Sequence, residues 1–359
     1  MKDVFVLFGG ASPEYPVSCN SAASLVGAIV ELGLNAHCVG VTQEGEWLLT
    51  EASPEQIYDG ESWKNVDGNK SVTLSLNPKD HGYMVFDGDS WKCVSVDVAF
   101  PMIHGNTGED GKIQGLLDVA GIPYVGSGVR ASANCMDKVA TMVFAEECNV
   151  PVPRYFYCHR DEYLADKEGI EQAIHDYFTE GGVSQYPIFV KPASTGSSVG
   201  ISRVTEKAEL RAALDEAAKY PGRLIVEQGI VGREIKIAVM GNDDIVMGHT
   251  CECVVDGVFN DFNLKYNSGG SHKIIPADLE PSVTEELYAL TEKLYRNIGC
   301  KGFARVDWFV TPDNKVVFNE ANTVPGFTEH SIYPLMFKSK GIEYPELVRQ
   351  LLELSSLDD

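Results

Sequence analysis

Apolar runs alternate with helical periodicity at the start of the chain. Lys2–Phe8 is a short apolar run that ends in Gly9-Gly10, and Ser18–Leu32 has apolar residues at helical spacing. A second apolar run, Ala36–Val41, follows directly. Strand, glycine turn, helix and strand in this order predict a βαβ unit, so the chain should open with a parallel α/β layer.

The same layer should continue to about residue 128. Asp97–Ile103 predicts another buried strand, which is followed by the polar loop HGNTGEDG at 104–111 and a helix over Lys112–Ala120. The segment GIPYVGSG at 121–128 predicts a short strand and a turn. We therefore place the first subdomain boundary after residue 128.

The middle of the chain has its own alternation of helices and strands. Ala131–Cys148 has helical spacing and is stopped by the prolines of PVPR at 151–154. After an acidic helical region, YPIFVKPASTGSSVGISRV at 186–204 predicts a strand, a glycine- and serine-rich loop and a second strand. A helix over Glu206–Ala218 and a strand over Arg223–Gln228 complete this part.

The last part predicts more strands and ends in a hairpin. Strands over Glu234–Met240 and Ile245–Cys253 precede a polar loop, and Val283–Ile298 predicts a helix. FARVDWFV and KVVFNEAN then predict two paired strands joined at Asp313-Asn314. The fold class is therefore α/β in three subdomains, which we place at 1–128, 129–226 and 227–359.

Composition narrows the classes of partner. The chain has 359 residues, 44% of them hydrophobic, and a formal net charge of −23. So acidic a surface repels nucleic acid and anionic lipid, which leaves small molecules, metals or other proteins as partners. No apolar stretch reaches the length of a membrane span, and the first residues lack a signal-peptide layout. Nine scattered cysteines without a C-x-x-C pair fit a reduced, cytoplasmic protein.

Polar side chains gather on one face of the predicted hairpin. Because strand residues two apart face the same side, Arg305 and Asp307 project together from one strand, and Glu320 and Asn322 from its neighbour. Clustered carboxylate and amide oxygens suit Mg²⁺, which would also neutralise their charge. The alternative is an ion-pair network between the arginine and the carboxylates that holds the hairpin together. These residues alone leave both interpretations open.

Two further segments are candidates for nucleotide contacts. KPASTGSSVG at 191–200 closes an apolar strand with a lysine and continues with small residues whose backbone N–H groups can surround phosphate oxygens. The alternative is a mobile hairpin tip without a ligand. In VEQGIVGRE at 226–234, Glu227 ends an apolar strand, and such connectors commonly contact an adenine edge through their backbone.

Five motifs in this order and spacing resemble one family closely. They are HGNTGEDGKIQG at 104–115, MDK at 136–138, KPASTGSSVG at 191–200, GFARVDWF at 302–309 and NEANTVPGFTEHS at 319–331. Together they resemble the D-alanine–D-alanine ligase family of ATP-grasp enzymes, including its D-Ala–D-Lac and D-Ala–D-Ser relatives. The resemblance runs from Phe8 to about Pro334 and implies an α/β (α+β ATP-grasp) fold, with an N-terminal parallel α/β layer before central and C-terminal ATP-grasp subdomains.

The resemblance implies ATP and two Mg²⁺ ions, with Mn²⁺ as an alternative metal. ATP would phosphorylate the carboxylate of a first D-alanine, and the amine of a second substrate would then displace phosphate. The residues that the resemblance assigns to the nucleotide and the metals are Asp307, Glu320 and Asn322 for the metals, Lys138, Lys191, Gly196 and Ser198 for the phosphates, Glu227, Gln228 and Ile230 for the adenine, and Glu234 for the ribose.

Other residues are implied to serve the chemistry and the second substrate. Arg305 and the backbone N–H of Gly326 would stabilise the tetrahedral intermediate. Ser331, with the backbone of Ile332, would receive the second substrate's carboxylate. Lys265 and Tyr266 would belong to a lid over 256–276, with Lys265 reaching the phosphates and Tyr266 hydrogen-bonding to Ser197. Depsipeptide-forming relatives often lack this tyrosine, so Tyr266 favours an amine nucleophile.

The first loop departs from the family pattern G-G-x-S-x-E-H-E-V-S. Here it reads GGASPEYPVS, so Pro16 replaces the glutamate expected to bind the first D-alanine's ammonium. Three explanations compete: Glu14 reaches the same position, the first substrate differs, or the enzyme has decayed. The intact metal and phosphate residues argue against decay. His104 occupies the place of a family histidine near this pocket, although a histidine that only caps the loop is an equal alternative.

The sequence therefore predicts ATP-dependent ligation of D-alanine to a second D-alanine for peptidoglycan synthesis. The alternatives are a D-Ala–D-Ser or D-Ala–D-Lac ligase, a carboxylate–amine ligase with another first substrate, and a nucleotide-binding regulator without turnover. The presence of Arg305, Lys265 and Gly326 argues against a regulator without turnover, because their implied roles are in the reaction and not in holding the nucleotide. Because the family is often dimeric, a homodimer is also an expectation.

Overall fold

Three β-sheets make up the architecture. The computed structural model describes residues 2–180, 186–196, 199–255 and 271–357. In these ranges the strands form a seven-stranded sheet, a four-stranded sheet and a six-stranded sheet, in chain order. The predicted α/β class is thus confirmed. No helix in these ranges is both long and apolar enough to cross a membrane.

The first sheet is only partly parallel. Its strand order is β6-β5-β4-β3-β2-β1-β7, and only the pairs that β1 makes with β2 and β7 are parallel. The prediction of a parallel layer is therefore correct for the βαβ core but missed the antiparallel strands β3 to β6. The strands are β1 (Asp3–Gly9), β2 (Asn35–Val41), β3 (Trp47–Leu49), β4 (Lys70–Leu74), β5 (Gly82–Asp87), β6 (Ser90–Ser95) and β7 (Val98–Pro101).

The helices of this part are α1 (Tyr15–Glu31), α2 (Pro54–Tyr58) and α3 (Lys112–Ala120). Helix α1 buries one face of small and aliphatic side chains, including Leu25 and Ile29, because the strands beside it are apolar on both sides. The strand predicted within 121–128 is absent from the described structure. Tyr124 forms only isolated bridges to Ala99 and Ser356 there.

The helix predicted over Ala131–Cys148 is in fact two helices, α4 (Val129–Met136) and α5 (Lys138–Glu147). The chain breaks at Asp137 because its side chain caps α5 by accepting a hydrogen bond from the Ala140 N–H at 3.1 Å. The Lys138 N–H leaves the helical pattern as well and donates to the Ala193 carbonyl at 2.9 Å. The break turns the start of α5 toward the strand that precedes the glycine- and serine-rich loop.

The second sheet is antiparallel throughout and has the order β10-β9-β11-β8. A 3₁₀ turn at Lys207–Glu209 shortens the helix predicted over Glu206–Ala218. The sheet and its helices form a separate apolar core around Ile188, Val190 and Leu214. Its elements are β8 (Tyr155–His159), α6 (Arg160–Ala165), α7 (Lys167–Thr179), β9 (Ile188–Pro192), β10 (Ser202–Val204), α8 (Leu210–Ala217) and β11 (Arg223–Gln228).

The third sheet has the order β15-β14-β12-β16-β17, with β13 paired to β12. The single strand predicted over Ile245–Cys253 is two short strands instead. The elements are β12 (Arg233–Met240), β13 (Val246–Met247), β14 (Cys251–Val255), β15 (Ser271–Ile274), α9 (Pro281–Ile298), β16 (Phe303–Val310), β17 (Val316–Asn322), α10 (Ile332–Lys338) and α11 (Tyr344–Glu353).

The first and third parts share one apolar core. Residues of β1 and α1 belong to the same buried cluster as Phe303, Phe327 and the helices α10 and α11. His104, which follows β7, lies 2.8 Å from the carbonyl of Val324, which follows β17, so the ends of these two strands are neighbours. The subdomain boundaries at 128 and 226 remain predictions.

Candidate active site

Side chains from all three parts of the chain line a cavity of about 560 Å³. Most of the predicted site residues that the structure describes belong to this lining, although they come from distant segments of the sequence. They are Glu14, His104, Lys138, Lys191, Gly196, Glu234, Arg305, Glu320, Asn322, Gly326, Ser331 and Ile332.

The remaining predicted residues divide into two groups. Ser197, Ser198, Lys265 and Tyr266 lie outside the described residues, as does most of the predicted lid. Asp307, Glu227, Gln228 and Ile230 are described but are not part of the cavity lining. Asp307 lies directly behind the lining, since its side chain is fully buried and bonded to that of Arg305.

The polar face of the hairpin forms as the strand pattern predicts. In the antiparallel pair β16–β17, Arg305 lies opposite Asn322 and Asp307 lies opposite Glu320. The guanidinium Nη2 of Arg305 is 3.8 Å from a Glu320 carboxylate oxygen. A register irregularity directly after Asp307 changes the pairing further along the hairpin. Arg305, Glu320 and Asn322 therefore line one wall of the cavity, and Asp307 lies directly behind it.

Asp307 is already bound by two cationic side chains. Its Oδ1 accepts from Arg305 Nε at 2.7 Å, and its Oδ2 accepts from Arg305 Nη2 at 3.0 Å and from Lys236 Nζ at 2.6 Å. Burial works to raise the pKa of Asp307, but these two cations outweigh it and hold the pKa well below its ordinary value. The ion-pair network that the sequence left open as an alternative is thus present.

The same hairpin still offers oxygen donors for a metal. Within the described residues, no three His, Cys, Asp or Glu side chains cluster as a metal site. The candidate donors are instead two carboxylates and an amide, with Glu320 and Asn322 facing the cavity and Asp307 behind them. Oxygen-only donors of this kind fit Mg²⁺.

Lys236 was not predicted from the sequence, yet it connects the two acidic parts of the wall. It lies on β12 opposite Asp307 and donates to Glu234 Oε1 at 2.7 Å as well as to Asp307. Burial works to lower its pKa, but the two carboxylates outweigh that effect and raise it. A signal was present in the sequence, because Lys236 is two residues after Glu234 and must share its side of the strand.

Two further lysines, Lys138 and Lys191, line the cavity. Lys138 Nζ donates to the Thr195 carbonyl at 2.7 Å, and Lys191 Nζ donates to Glu227 Oε2 at 2.7 Å. Burial lowers the pKa of Lys138. This part of the cavity therefore combines buried positive charge with the start of the glycine- and serine-rich loop, as phosphate binding requires.

Glu227 has a buried oxygen that suggests a ligand. Its side chain is 6% exposed, and its Oε1 has no hydrogen-bond partner among the described residues. A buried acceptor without a partner costs about 1–3 kcal/mol. An N–H donor of a bound base would satisfy it, which fits the adenine side predicted for this strand end.

Glu14 reaches into the cavity from the N-terminus of α1. Its carboxylate lies beside two glycines, since a Cβ built on Gly105 would be 2.4 Å from Glu14 Oε2 and one built on Gly196 would be 3.1 Å from it. A Cβ at Gly105 would collide with the carboxylate, and one at Gly196 would touch it closely. Glu14 therefore lies between Gly105 of the loop at 104–111 and Gly196, the residue that precedes Ser197.

His104 lines the cavity, but both of its ring nitrogens are bound to protein atoms. Its Nδ1 is 2.8 Å from the Val324 carbonyl and its Nε2 is 3.1 Å from Ser21 Oγ. Ser21 Oγ also accepts from the Phe327 N–H at 3.0 Å. His104 and Ser21 thus attach the first part of the chain to the loop that carries Gly326.

The region after β17 forms the far end of the cavity. Ser331 Oγ accepts from the Thr328 N–H at 3.0 Å, and Ile332 begins α10 directly after it. A Cβ built on Gly326 would be 3.5 Å from Ser331 Oγ. Gly326, Ser331 and Ile332 therefore lie close together. The role of Gly326 toward the tetrahedral intermediate and those of Ser331 and Ile332 toward the second carboxylate remain predictions. Glu109 and Lys273 also line the cavity and were missed, although Glu109 lies in the motif at 104–115 and Lys273 in the predicted lid over 256–276.

Solved structures with the same architecture are ligases. The chain superposes on the VanG D-Ala:D-Ser ligase from Enterococcus faecalis with a TM-score of 0.87 and 34% identity, covering 98% of this chain and 99% of that one. It superposes on the D-alanine–D-alanine ligase from Coxiella burnetii with a TM-score of 0.83 and 32% identity, covering 99% and 95%. Fold and cavity together define an ATP-dependent ligase with the ATP-grasp fold.

The sequence comparisons specify the family. Residues 3–127 match the family model described as D-ala D-ala ligase N-terminus, and residues 144–353 match D-ala D-ala ligase C-terminus. The D-alanine–D-alanine ligase of Acetivibrio thermocellus is 39% identical over 99% of this chain and 96% of its own length. D-alanine–D-alanine ligase A of Escherichia coli K12 is 37% identical over 98% and 95%. This chain belongs to the D-alanine–D-alanine ligase family.

Proposed function

We propose that the protein joins two D-alanine molecules at the expense of ATP. A carboxylate oxygen of the first D-alanine attacks the γ-phosphorus, the bond to ADP breaks, and an acylphosphate forms. The amine of the second D-alanine then attacks the acyl carbon, inorganic phosphate leaves, and a proton is released. The observation that carries this proposal is the meeting of Lys138, Lys191, Arg305 and Glu320 in one cavity of a chain that matches the family over nearly its whole length.

The nucleotide would lie between the second and third sheets. Lys138 and Lys191 would bind its phosphates, and the orphaned Oε1 of Glu227 would accept from the adenine side. The strand end at Gln228 and Ile230 would continue the adenine contact, and Glu234 would bind the ribose hydroxyls.

Glu320, Asn322 and Asp307 would hold divalent metal, with two Mg²⁺ ions as the proposed number. Bound Mg²⁺ would neutralise charge on the phosphate oxygens. Asp307 is already bonded to Arg305 and Lys236, which keep its buried carboxylate ionised.

The two amino acids would bind at the other end of the cavity. Glu14 would take the ammonium of the first D-alanine in place of the glutamate lost to Pro16, which its carboxylate beside Gly196 supports. Arg305 and the Gly326 N–H would stabilise the tetrahedral intermediate, and Ser331 with Ile332 would bind the second carboxylate. Ser197, Ser198, Lys265 and Tyr266 keep the roles that the family pattern implies.

A second candidate function is the ligation of D-alanine to D-serine. The similarity to the VanG D-Ala:D-Ser ligase at a TM-score of 0.87 favours keeping it. In either case the product would serve peptidoglycan synthesis, and we place the reaction in the cytoplasm, where ATP is supplied. We also propose a homodimer, by analogy with the family.

Phosphate release tests the proposal. The protein is mixed with ATP, Mg²⁺ and a panel of D-alanine, D-serine and D-lactate, each alone and in pairs, and released phosphate and ligated product are measured. Turnover with D-alanine alone supports the main proposal, whereas turnover that requires D-serine supports the second. Nucleotide binding without phosphate release on any substrate would overturn both.

The role of Glu14 is tested separately with Glu14→Gln. Losing a charge-assisted hydrogen bond of about 1.5–3 kcal/mol should raise the KM for the first D-alanine at least tenfold. Nucleotide affinity should stay the same. An unchanged KM would show that another group binds the ammonium.

A further inference from the structure

Lys236 lies in the cavity wall between Glu234, which is predicted to bind the ribose, and Asp307, which is predicted to bind a metal. Lys236 lies on β12, opposite Asp307 on β16, and its side chain is 9% exposed. Its Nζ donates to Glu234 Oε1 at 2.7 Å and to Asp307 Oδ2 at 2.6 Å. Two carboxylates thus fix the ammonium in position before any ligand enters.

This ammonium can still bind a ligand. A lysine has three N–H donors, and the hydrogen bonds within the described residues use two of those of Lys236. Because Lys236 also lines the cavity, its third N–H can donate to an acceptor there. Glu234 and Asp307 already fix the Lys236 ammonium, so ligand binding costs little further loss of side-chain entropy.

The position of Lys236 indicates which part of the ligand it meets. In the proposed function, Glu234 binds the ribose, and Asp307 and Glu320 hold the metal at the far end of the triphosphate. The phosphate chain of a nucleotide joins these two ends. A side chain that is hydrogen-bonded to both Glu234 and Asp307 therefore lies beside that chain.

We propose that Lys236 is a phosphate ligand of the nucleotide. Its ammonium lies among the carboxylates of the cavity wall and would bind the phosphates even when no divalent metal is present. This inference rests on the proposed function and deepens it. Lys138 and Lys191 line the same cavity, so the phosphates would be bound by three lysines. The competing explanation gives Lys236 only a structural role, in which it neutralises Asp307 and contacts no ligand.

The test measures nucleotide binding in the absence of turnover. The affinities of the wild-type protein and of Lys236→Gln for ADP and for adenosine are measured by titration calorimetry, in EDTA and again in Mg²⁺. Glutamine keeps hydrogen-bond donors for the carboxylates but removes the charge. In EDTA, ADP binding should weaken about tenfold to a hundredfold, while adenosine binding stays within twofold. With Mg²⁺ present, the loss of ADP affinity should be smaller.

Two variants serve as controls. Lys236→Arg keeps the charge and should recover most of the ADP affinity in EDTA. Lys315→Met removes a charge from the exposed turn of the same hairpin, where Lys315 pairs with Asp313, and should leave ADP binding unchanged. An equal effect of Lys315→Met would mean that only the overall charge matters, which overturns the proposal.

The outcomes separate this inference from the proposed function. If wild-type protein binds neither ADP nor ATP, the proposed function fails. If it binds ADP and Lys236→Gln binds ADP equally, or loses ADP and adenosine alike, then Lys236 is not a phosphate ligand. Should Lys236→Gln not fold, the same comparison is made between Asp307→Asn and Asp307→Asn with Lys236→Gln, because the first change removes the buried carboxylate that the lysine neutralises.

Discussion

Lys138 has two roles that depend on the same short segment. Its N–H leaves the helix pattern and binds the Ala193 carbonyl, while its ammonium binds the carbonyl of Thr195 in the adjoining loop. Burial lowers its pKa below the ordinary lysine value of 10.5. Phosphate groups beside it would favour the charged form. Proton uptake by Lys138 should therefore accompany nucleotide binding at alkaline pH.

This coupling predicts a pH dependence with a definite sign. Since the protonated lysine binds the phosphates, nucleotide affinity should be constant below the pKa of Lys138 in the free protein. It should fall, at most about tenfold per pH unit, as pH rises through that pKa, which is below 10.5. Titration calorimetry with ADP between pH 7 and pH 10.5 measures the profile. In Lys138→Arg, whose side chain stays charged, the profile should be flat; identical profiles would contradict the prediction.

Gly105 gives Glu14 its place in the cavity. The glycine has φ of +74°, and a Cβ on it would lie 2.4 Å from both Glu14 Oε2 and Ser12 Oγ. Gly105→Ala should displace the Glu14 carboxylate and raise the KM for the first D-alanine about tenfold, with little change in nucleotide affinity. Steady-state kinetics with varied D-alanine and calorimetry with ADP measure the two effects.

Gly45→Ala is the matched control for that substitution. Gly45 has φ of +92°, and a Cβ on it would meet nothing within 4 Å. It imposes similar backbone strain, about 1–2 kcal/mol, at a position remote from the cavity. Both variants should lose stability, but only Gly105→Ala should change the KM. Equal KM values in the two variants would contradict the proposal that Glu14 binds the ammonium of the first D-alanine.

Single residues also show how far sequence reasoning reaches. Alternation along strands is enough to bring Arg305, Glu320 and Asn322 to one wall, because the period of two is fixed by the backbone. The same rule could have found Lys236. The bonds of His104 to Val324 and Ser21 could not be predicted, because they join residues that only the packing of the first and third parts brings together.

Helix α1 and the loop after β17 are joined by a small set of buried hydrogen bonds. Ser21 lies on α1, contacts His104 Nε2 and accepts from the Phe327 N–H. Phe327 follows Gly326, whose N–H is the proposed donor to the tetrahedral intermediate. The position of this donor is therefore set by a helix from the other end of the chain.

Ser21→Ala tests whether the position of the Gly326 N–H depends on these hydrogen bonds. The change leaves the buried Phe327 N–H and the histidine nitrogen without their partner, which costs about 1–3 kcal/mol of unfolding free energy. It should also lower kcat severalfold, because Gly326 is held less firmly, while ADP affinity stays the same. Denaturant unfolding, phosphate release and calorimetry measure the three quantities. Ser24→Ala on the same helix should change none of them, and a normal kcat in Ser21→Ala would contradict the role given to this contact.

The elements differ in how well the sequence predicted them. Strand β11 and helix α3 have the predicted bounds, because apolar periodicity and flanking glycines mark both ends. The strands β3 to β6 were missed. β3 has only three residues and β6 is largely exposed, whereas β4 alternates between exposed and buried residues and β5 is largely buried, so these two did carry a signal. The break between α4 and α5 depends on the Asp137 cap and on a bond to Ala193, and the second of these is a long-range contact.

The three parts of the chain are unequally connected. One buried cluster contains residues of β1, α1, β16, α10 and α11, so the first and third parts fold around common apolar residues. One side of the second sheet has its own cluster with α7 and α8. Ala193 and Ile225 of the same part belong instead to a cluster with β12, β16, β17 and α9. The end of the cavity beside Gly326 thus depends on the core shared by the first and third parts, to which the second sheet contributes none of its described residues.

A substitution at Phe327 tests whether the core shared by the first and third parts positions Gly326, because the Phe327 ring lies between these parts. It packs 5.6 Å from the rings of Phe100 and Phe303 and 5.4 Å from Tyr344, measured between centroids. Phe327→Ala should cost about 3–5 kcal/mol of unfolding free energy, as large aromatic truncations in cores do. It should also reduce kcat at least tenfold in protein that is still folded, because Gly326 adjoins the cavity so created.

Phe178→Ala is the matched truncation in the core of the second sheet, where Phe178 is 3% exposed. It should lose comparable unfolding free energy but keep a near-normal kcat, since the residues at Gly326 do not rest on that core. Denaturant unfolding gives the stabilities, and phosphate release with saturating ATP and D-alanine gives kcat under conditions where both variants are folded. If both variants lose kcat alike, activity follows general stability. If only Phe327→Ala loses it, the shared core of the first and third parts positions the reaction.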